Sequence, residues 1–248
     1  MTKLIRDTWL VFARAMHLTL RQPVWVVVVL AQPLYFLLLF GPLLKPIFGE
    51  DAYQIFVPAL LIMLAMFGTL FTGFGLIAEL RAGVLERMRV TPVSRFALML
   101  GRCGRDVIVM AFQALVLVVL AIPFGLTVRV APLLLTLGML ALIGLLCSSL
   151  SYAVSLKLRS EDALAPLVNA VSQPLLLLSG ILLPLSLAPE WLQNIAAFNP
   201  FSWAVDASRA LFEGDVGDPS VWQASLILGV LALLAVTWAA RQFARSVR

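Results

Sequence analysis

ELRAGVLERMRVTPVSR, residues 79–95, holds six charged side chains in seventeen positions, and long apolar runs flank it on both sides. If the flanking runs cross a bilayer, this stretch is a loop on one face of it and sets the side of every other connection. The rest of the composition supports that reading. The 248 residues are 62% hydrophobic and only 12% charged, with a mean hydropathy of +1.01. Soluble domains carry about a quarter charged residues. The chain reads as an all-α integral membrane protein.

A helix needs about 20 apolar residues to cross the hydrocarbon core, and six runs approach that length: 24–44, 55–78, 106–126, 133–156, 163–185 and 221–240. Fifteen of the eighteen Lys and Arg fall in the N-terminal segment, the 79–105 loop, the 157–162 loop and the C-terminal tail. Lys45, Arg129 and Arg209 fall on the other side. The positive-inside bias then puts both termini and residues 79–95 in the cytoplasm, and an even number of crossings agrees. Charges recur too often in residues 1–22 for a cleaved leader. On a helix, Ile5, Trp9, Phe12, Met16 and Leu20 form an apolar stripe, with Lys3, Arg6, Arg14, His17 and Arg21 on another face. That pattern predicts an amphipathic helix in the interface plane. On the outer side, 186–213 carries two amphipathic patterns parted by Asn199-Pro200. They predict short re-entrant helices, with Trp191, Trp203 and Trp222 at the interface.

Several chemistries lack material. One histidine, His17, and two separate cysteines leave no metal or disulfide framework. None of the three lysines completes a phosphate-binding loop, so any ATP must be bound by another chain. The basic excess follows the span ends and does not imply nucleic acid. The spans read as free of deep charges, with Asp106 at the start of the third, which argues against an ion-coupled pump. Large side chains suit an apolar or amphiphilic cargo instead: Tyr35, Phe36 and Phe40 in span one, and Phe67, Phe71 and Phe74 in span two. Span five adds Gln173 and Ser179 beside the breakers Pro174, Gly180 and Pro184.

Residues 79–89 have helical composition; Glu79, Gly83, Glu86 and Val90 share one face, where the small Gly83 admits a close partner. Thr91-Pro92 predicts a corner and the cap of a second helix. The run AELRAGVLERMRVTPVSR, together with RSEDALAPLVN, LSGILLP and FNPFSWAVDASRALFEGD, resembles the ABC-2 type permeases, in particular the daunorubicin-resistance kind of multidrug exporter subunit. The resemblance covers nearly the whole chain in order. It implies a non-catalytic, six-span subunit in a bacterial plasma membrane, paired with a second copy or a close paralogue. It further implies two ATPase subunits that bind ATP and Mg, and a cytoplasmic coupling helix seated on them. Carried over, Glu79, Arg81, Gly83, Glu86, Arg87 and Arg89 are the coupling candidates. The implied cargo is a drug, lipid or glycolipid moved outward by alternating access. A stand-alone channel or secondary transporter, or a non-transporting scaffold or sensor subunit, is the competing expectation.

Overall fold

The structure, a computed structural model, describes residues 2–21, 23–84, 93–182 and 184–246. Among these there is no strand. The helices are α1 (Thr2–Arg21), α2 (Pro23–Phe48), α3 (Ala52–Leu70), α4 (Thr72–Arg81), α5 (Arg95–Ala121), α6 (Val130–Leu158), α7 (Glu161–Leu177), α8 (Glu190–Ala196), α9 (Pro200–Glu213) and α10 (Pro219–Ser246). Four segments of the described residues are long and apolar enough to cross a membrane: Val27–Arg81, Arg95–Phe124, Val130–Leu158 and Pro219–Ala244.

The first segment, 55 residues long, far exceeds one crossing, and it folds back on itself. The chain reverses at Gly49, whose φ of 66° suits a residue without Cβ. α2 and α3 then run antiparallel, with Val29 against Gly68 and the Phe40 ring 6.4 Å from Phe56. Gly41 lies under Tyr53, where an added Cβ would come within 2.5 Å of the ring. α3 is the core helix: every residue from Val57 to Met66 is buried. α2 and α10 cover the outside and leave large apolar groups exposed, among them Leu39, Leu43, Leu226 and Leu233. In water such surfaces would be a liability; against lipid tails they match the solvent.

The second expected span, 55–78, is not one helix. α3 ends at Leu70 and α4 starts at Thr72. Breaks inside a bilayer free backbone groups that cost several kcal/mol each if unpaired, on the order of a lost hydrogen bond in hydrocarbon. Ser151 of α6 repairs this one from both sides, its hydroxyl donating to the Leu70 carbonyl (2.5 Å) and accepting from the Gly73 N–H (3.0 Å). Gly73 has no side chain because Ser151 and Ser155 occupy that space. Small residues allow this closeness between helices.

α5 begins at Arg95, where the Ser94 hydroxyl caps it by accepting from the Ala97 N–H at 3.1 Å. Asp106, expected at the start of its span, therefore lies about three turns inside the helix. Thr91 and Pro92, the expected cap, are outside the described residues. The fifth expected span, 163–185, contains α7 of only 17 residues with Pro166 and Pro174 inside it. It ends at Leu177, and the chain then turns through Gly180 at φ 72°. α1 packs on α5 through Thr8, Val11, Phe12 and Thr19, while Ile5, Trp9 and Leu20 of the expected apolar stripe stay exposed, as a helix facing lipid requires.

The connections gather at two ends. Arg81 meets Glu161 and Arg95 meets the Ala244 carbonyl at what is here termed the loop end. Gln54, Thr127 and Phe212 meet at the opposite end. Lys45, Arg129 and Arg209 belong to the opposite end, the same partition that charge counting produced. There, Asn199 caps α9, accepting from the Phe201 N–H at 3.1 Å, and donates to the Leu175 carbonyl of α7 at 2.8 Å. α9 is thereby pinned into the bundle, burying Phe201, Val205 and Leu211, whereas Trp191, Ile195 and Phe198 around α8 remain exposed.

Candidate functional site

The loop end concentrates the polar chemistry. α4 ends by bonding the Ala82 N–H to the Ala78 carbonyl and the Gly83 N–H to Leu80, and Gly83 takes a φ of 66°. That is a glycine helix stop, so the single helix expected from 79 through 89 is interrupted there. The last turn of α4 presents Glu79 and Arg81 in different directions. Arg81 pairs with Glu161 in the first turn of α7 at 3.1 Å, both groups well exposed. Glu79 pairs with Arg102 of α5, whose side chain is 6% exposed. Glu86, Arg87 and Arg89, the remaining coupling candidates, lie outside the described residues.

Arg102 belongs to a row on α5. Arg105 and Asp106, one turn on, share its face, and Arg105 contacts Asp106 at 3.1 Å and the Thr19 hydroxyl of α1 at 3.3 Å. The Tyr152 hydroxyl of α6 donates to Asp106 at 2.5 Å. The row therefore touches α1, α4 and α6 at one level. Below it, the Cys103 thiol lies 3.6 Å from the Ser149 hydroxyl, and Met99, Ala239 and Phe243 seal the floor. Arg102, Arg105 and Tyr152 escaped the sequence reading, and Asp106 was placed at a span start without its partners. The spacing of three and four residues from Arg102 to Arg105 and Asp106 on one helix was the available signal.

The cargo candidates divide. Phe67, Phe71 and Phe74 form a ladder with ring centres 6.3 and 5.9 Å apart and planes within 16° of parallel. Phe67 and Phe71 line a cavity of about 210 Å³ between α2 and α3, completed by Val28, Val29, Pro33, Met63, Leu64 and one amide, Gln32. Phe36 meets Phe40 with ring centres 5.1 Å apart and planes tilted by 34°, on the side of the α3 core. Tyr35 points away, 64% exposed, and Gln173 is exposed on α7. Ser179 is buried and donates to the Leu176 carbonyl of its own turn at 2.6 Å. The structure thus brings together the three phenylalanines of α3 and α4, and it does not bring Tyr35, Gln173 or Ser179 to them. A larger polar hollow of about 410 Å³ lies at the opposite end between Asp51, Gln54, Arg129 and Glu213.

What the arrangement can do follows from these two features. An apolar cleft with one amide takes an apolar or amphiphilic molecule. A row of polar contacts joining four helices, with Arg102 and Asp106 enclosed, couples their positions, because a buried charge parted from its mate is costly.

A family model described as ABC-2 type transporter matches residues 6–212. The chain is 29% identical over 231 residues to the daunorubicin resistance ABC transporter permease protein DrrB1 of Streptomyces coeruleorubidus, covering 91% of this chain and 81% of that one. It is 27% identical over 199 residues to the probable multidrug ABC transporter permease YbhR of Escherichia coli strain K12, covering 77% of this chain and 52% of YbhR. With the probable doxorubicin resistance ABC transporter permease protein DrrC of Mycobacterium tuberculosis strain H37Rv it shares 25% identity over 210 residues, 80% of this chain and 76% of that one.

Proposed function

This chain belongs to the ABC-2 type transporter family and is a transport permease of an ABC system; on that premise we propose that it is the membrane subunit of an ATP-driven exporter of hydrophobic or amphiphilic molecules. ATP and Mg are bound by a separate ATPase subunit in two copies, and a second permease copy or a paralogue completes the assembly. The loop end faces the cytoplasm in a bacterial plasma membrane, with α1 at the interface. Six crossings result if α2, the α3–α4 pair, α5, α6, α7 with its following turn, and α10 each traverse the bilayer. α8 and α9 then form the outer re-entrant pair.

The observation that carries this reading is the loop end itself, where a charged connection between two apolar helices is tied by Glu79–Arg102 and Arg81–Glu161 to its neighbours. A permease without a phosphate-binding loop receives the energy of ATP only through contact, and a charged, braced surface suits a protein partner. The phenylalanine ladder beside Gln32 supports an amphiphilic cargo, loaded between α2 and α3 and released at the opposite end by alternating access. The names of DrrB1 and DrrC point the same way.

Two-component vesicles test the proposal. The chain is tagged in its host, and the co-purifying ATPase is identified and reconstituted with it. ATP-dependent movement of fluorescent amphiphiles out of the ATP-containing side is expected. Recovery of the chain without any ATPase, or equal movement by the chain alone, would overturn it.

A further inference from the structure

Glu79 stands among the residues offered to an ATPase, yet its carboxylate is turned towards the bundle. α4 leads into the loop end and α5 leads out of it, and the Glu79–Arg102 pair joins them across the connection. Arg102 is the buried member, 6% exposed against 32% for Glu79. From the same face of α5, Arg105 reaches Thr19 of α1 and Asp106 receives Tyr152 of α6. A lone surface pair would hold little. Here Arg102 and Asp106 are almost fully enclosed, so parting either from its partner strands a charge in an apolar surround.

We infer that Arg102 is a positioning residue that braces α4 against α5, so that a push on the connection between them moves both helices as one body. Arg105 and Asp106 pass that movement to α1 and α6. The inference rests on the exporter reading above. It gives Glu79 an inward role, holding the transmission together, in place of direct contact with the ATPase.

The test uses the whole chain in lipid nanodiscs, alone and with its co-purified ATPase. Spin labels are attached at Ile108→Cys and Leu226→Cys, exposed positions on α5, which the brace moves, and on α10, which it does not; the native Cys103 and Cys147 are buried. On the chain alone, Glu79→Gln and Arg102→Gln should lower the melting temperature non-additively, the double variant costing no more than Arg102→Gln. In the complex, ATP should shift the label distance, and Arg102→Gln should reduce the equilibrium constant of that shift about tenfold, within the usual range of coupling between sites. The ATPase should stay bound. The charge swap Glu79→Arg with Arg102→Glu should recover most of the shift, a rescue that loss of packing alone would not produce.

Additive melting effects, an unchanged shift in Arg102→Gln, or no ATP-driven shift in the parent protein would each overturn the brace. If Arg102→Gln does not fold, Glu79→Gln carries the same comparison, and a full shift there overturns it equally. Failure of any ATPase to bind sinks the exporter reading and the transmission role together, whereas additive melting with normal binding sinks the brace alone.

Discussion

The two ends of the bundle are held by different chemistry. At the loop end charged side chains meet charged side chains: Glu79 with Arg102, Arg81 with Glu161, Arg105 with Asp106. At the opposite end the short contacts run from polar side chains to the backbone, as Arg95 to Ala244 does at the loop end, and the ion pair Arg209–Asp206 is long, at 3.8 Å. Gln54 donates to the Phe212 carbonyl at 2.6 Å, Arg209 to the Ile55 and Gly180 carbonyls at 3.2 and 2.8 Å, and Asn199 to Leu175. A bond to a carbonyl follows the fold and breaks only when the backbone moves. The exposed Arg81–Glu161 pair can lose one partner to another charged surface with little change of shape, whereas the enclosed pairs behind it hold their helices together. One end is suited to exchange contacts with a protein, and the other to keep a closed set.

The sharpest way to break this contrast is Asp106→Ala, which leaves the buried Tyr152 hydroxyl without its acceptor and Arg105 without its carboxylate. A loss of about 3 kcal/mol or more is expected, read by thermal unfolding in nanodiscs. A loss under about 1 kcal/mol would be that of an exposed pair and would remove the buried charges from the account. Next comes Ser151→Ala, which opens both sides of the α3–α4 break. About 2 kcal/mol is expected, with faster hydrogen exchange at Gly73 as the local sign. At the opposite end, Asn199→Ala removes a cap and the bond to α7, for about 1–2 kcal/mol, and protease sensitivity between α8 and α9 should rise. Arg81→Gln is the smallest: its pair is 57% and 39% exposed, so under about 1 kcal/mol and a dependence on salt are expected. A large salt-independent loss there would mean that the outer and inner pairs of the loop end are alike.

Much of this was legible from residues alone. Apolar runs dictated helices because the bilayer allows few alternatives, and Asn199-Pro200 announced the start of α9 through its cap chemistry. Phe67, Phe71 and Phe74 met because spacings of four and three share a helix face. The partners of Asp106 were hidden for a physical reason. Charges marked span ends in the sequence, but Arg102, Arg105 and Asp106 are neutralised by one another and by Glu79 and Tyr152 from other helices. The break near Phe71 was equally hidden, since no Gly or Pro occupies that position and its repair comes from Ser151, far along the chain. The early end of α7 was half visible in Pro166 and Pro174, although proline in a membrane helix marks a bend as readily as a stop.

The central claim is that work enters this permease from outside, at its loop end. ATP-dependent accumulation of a fluorescent amphiphile, measured in vesicles holding the chain with and without its ATPase subunit, tests it most directly. Accumulation that needs both ATP and the ATPase is the predicted result; transport by the chain alone, driven by an ion gradient and indifferent to ATP, would contradict it.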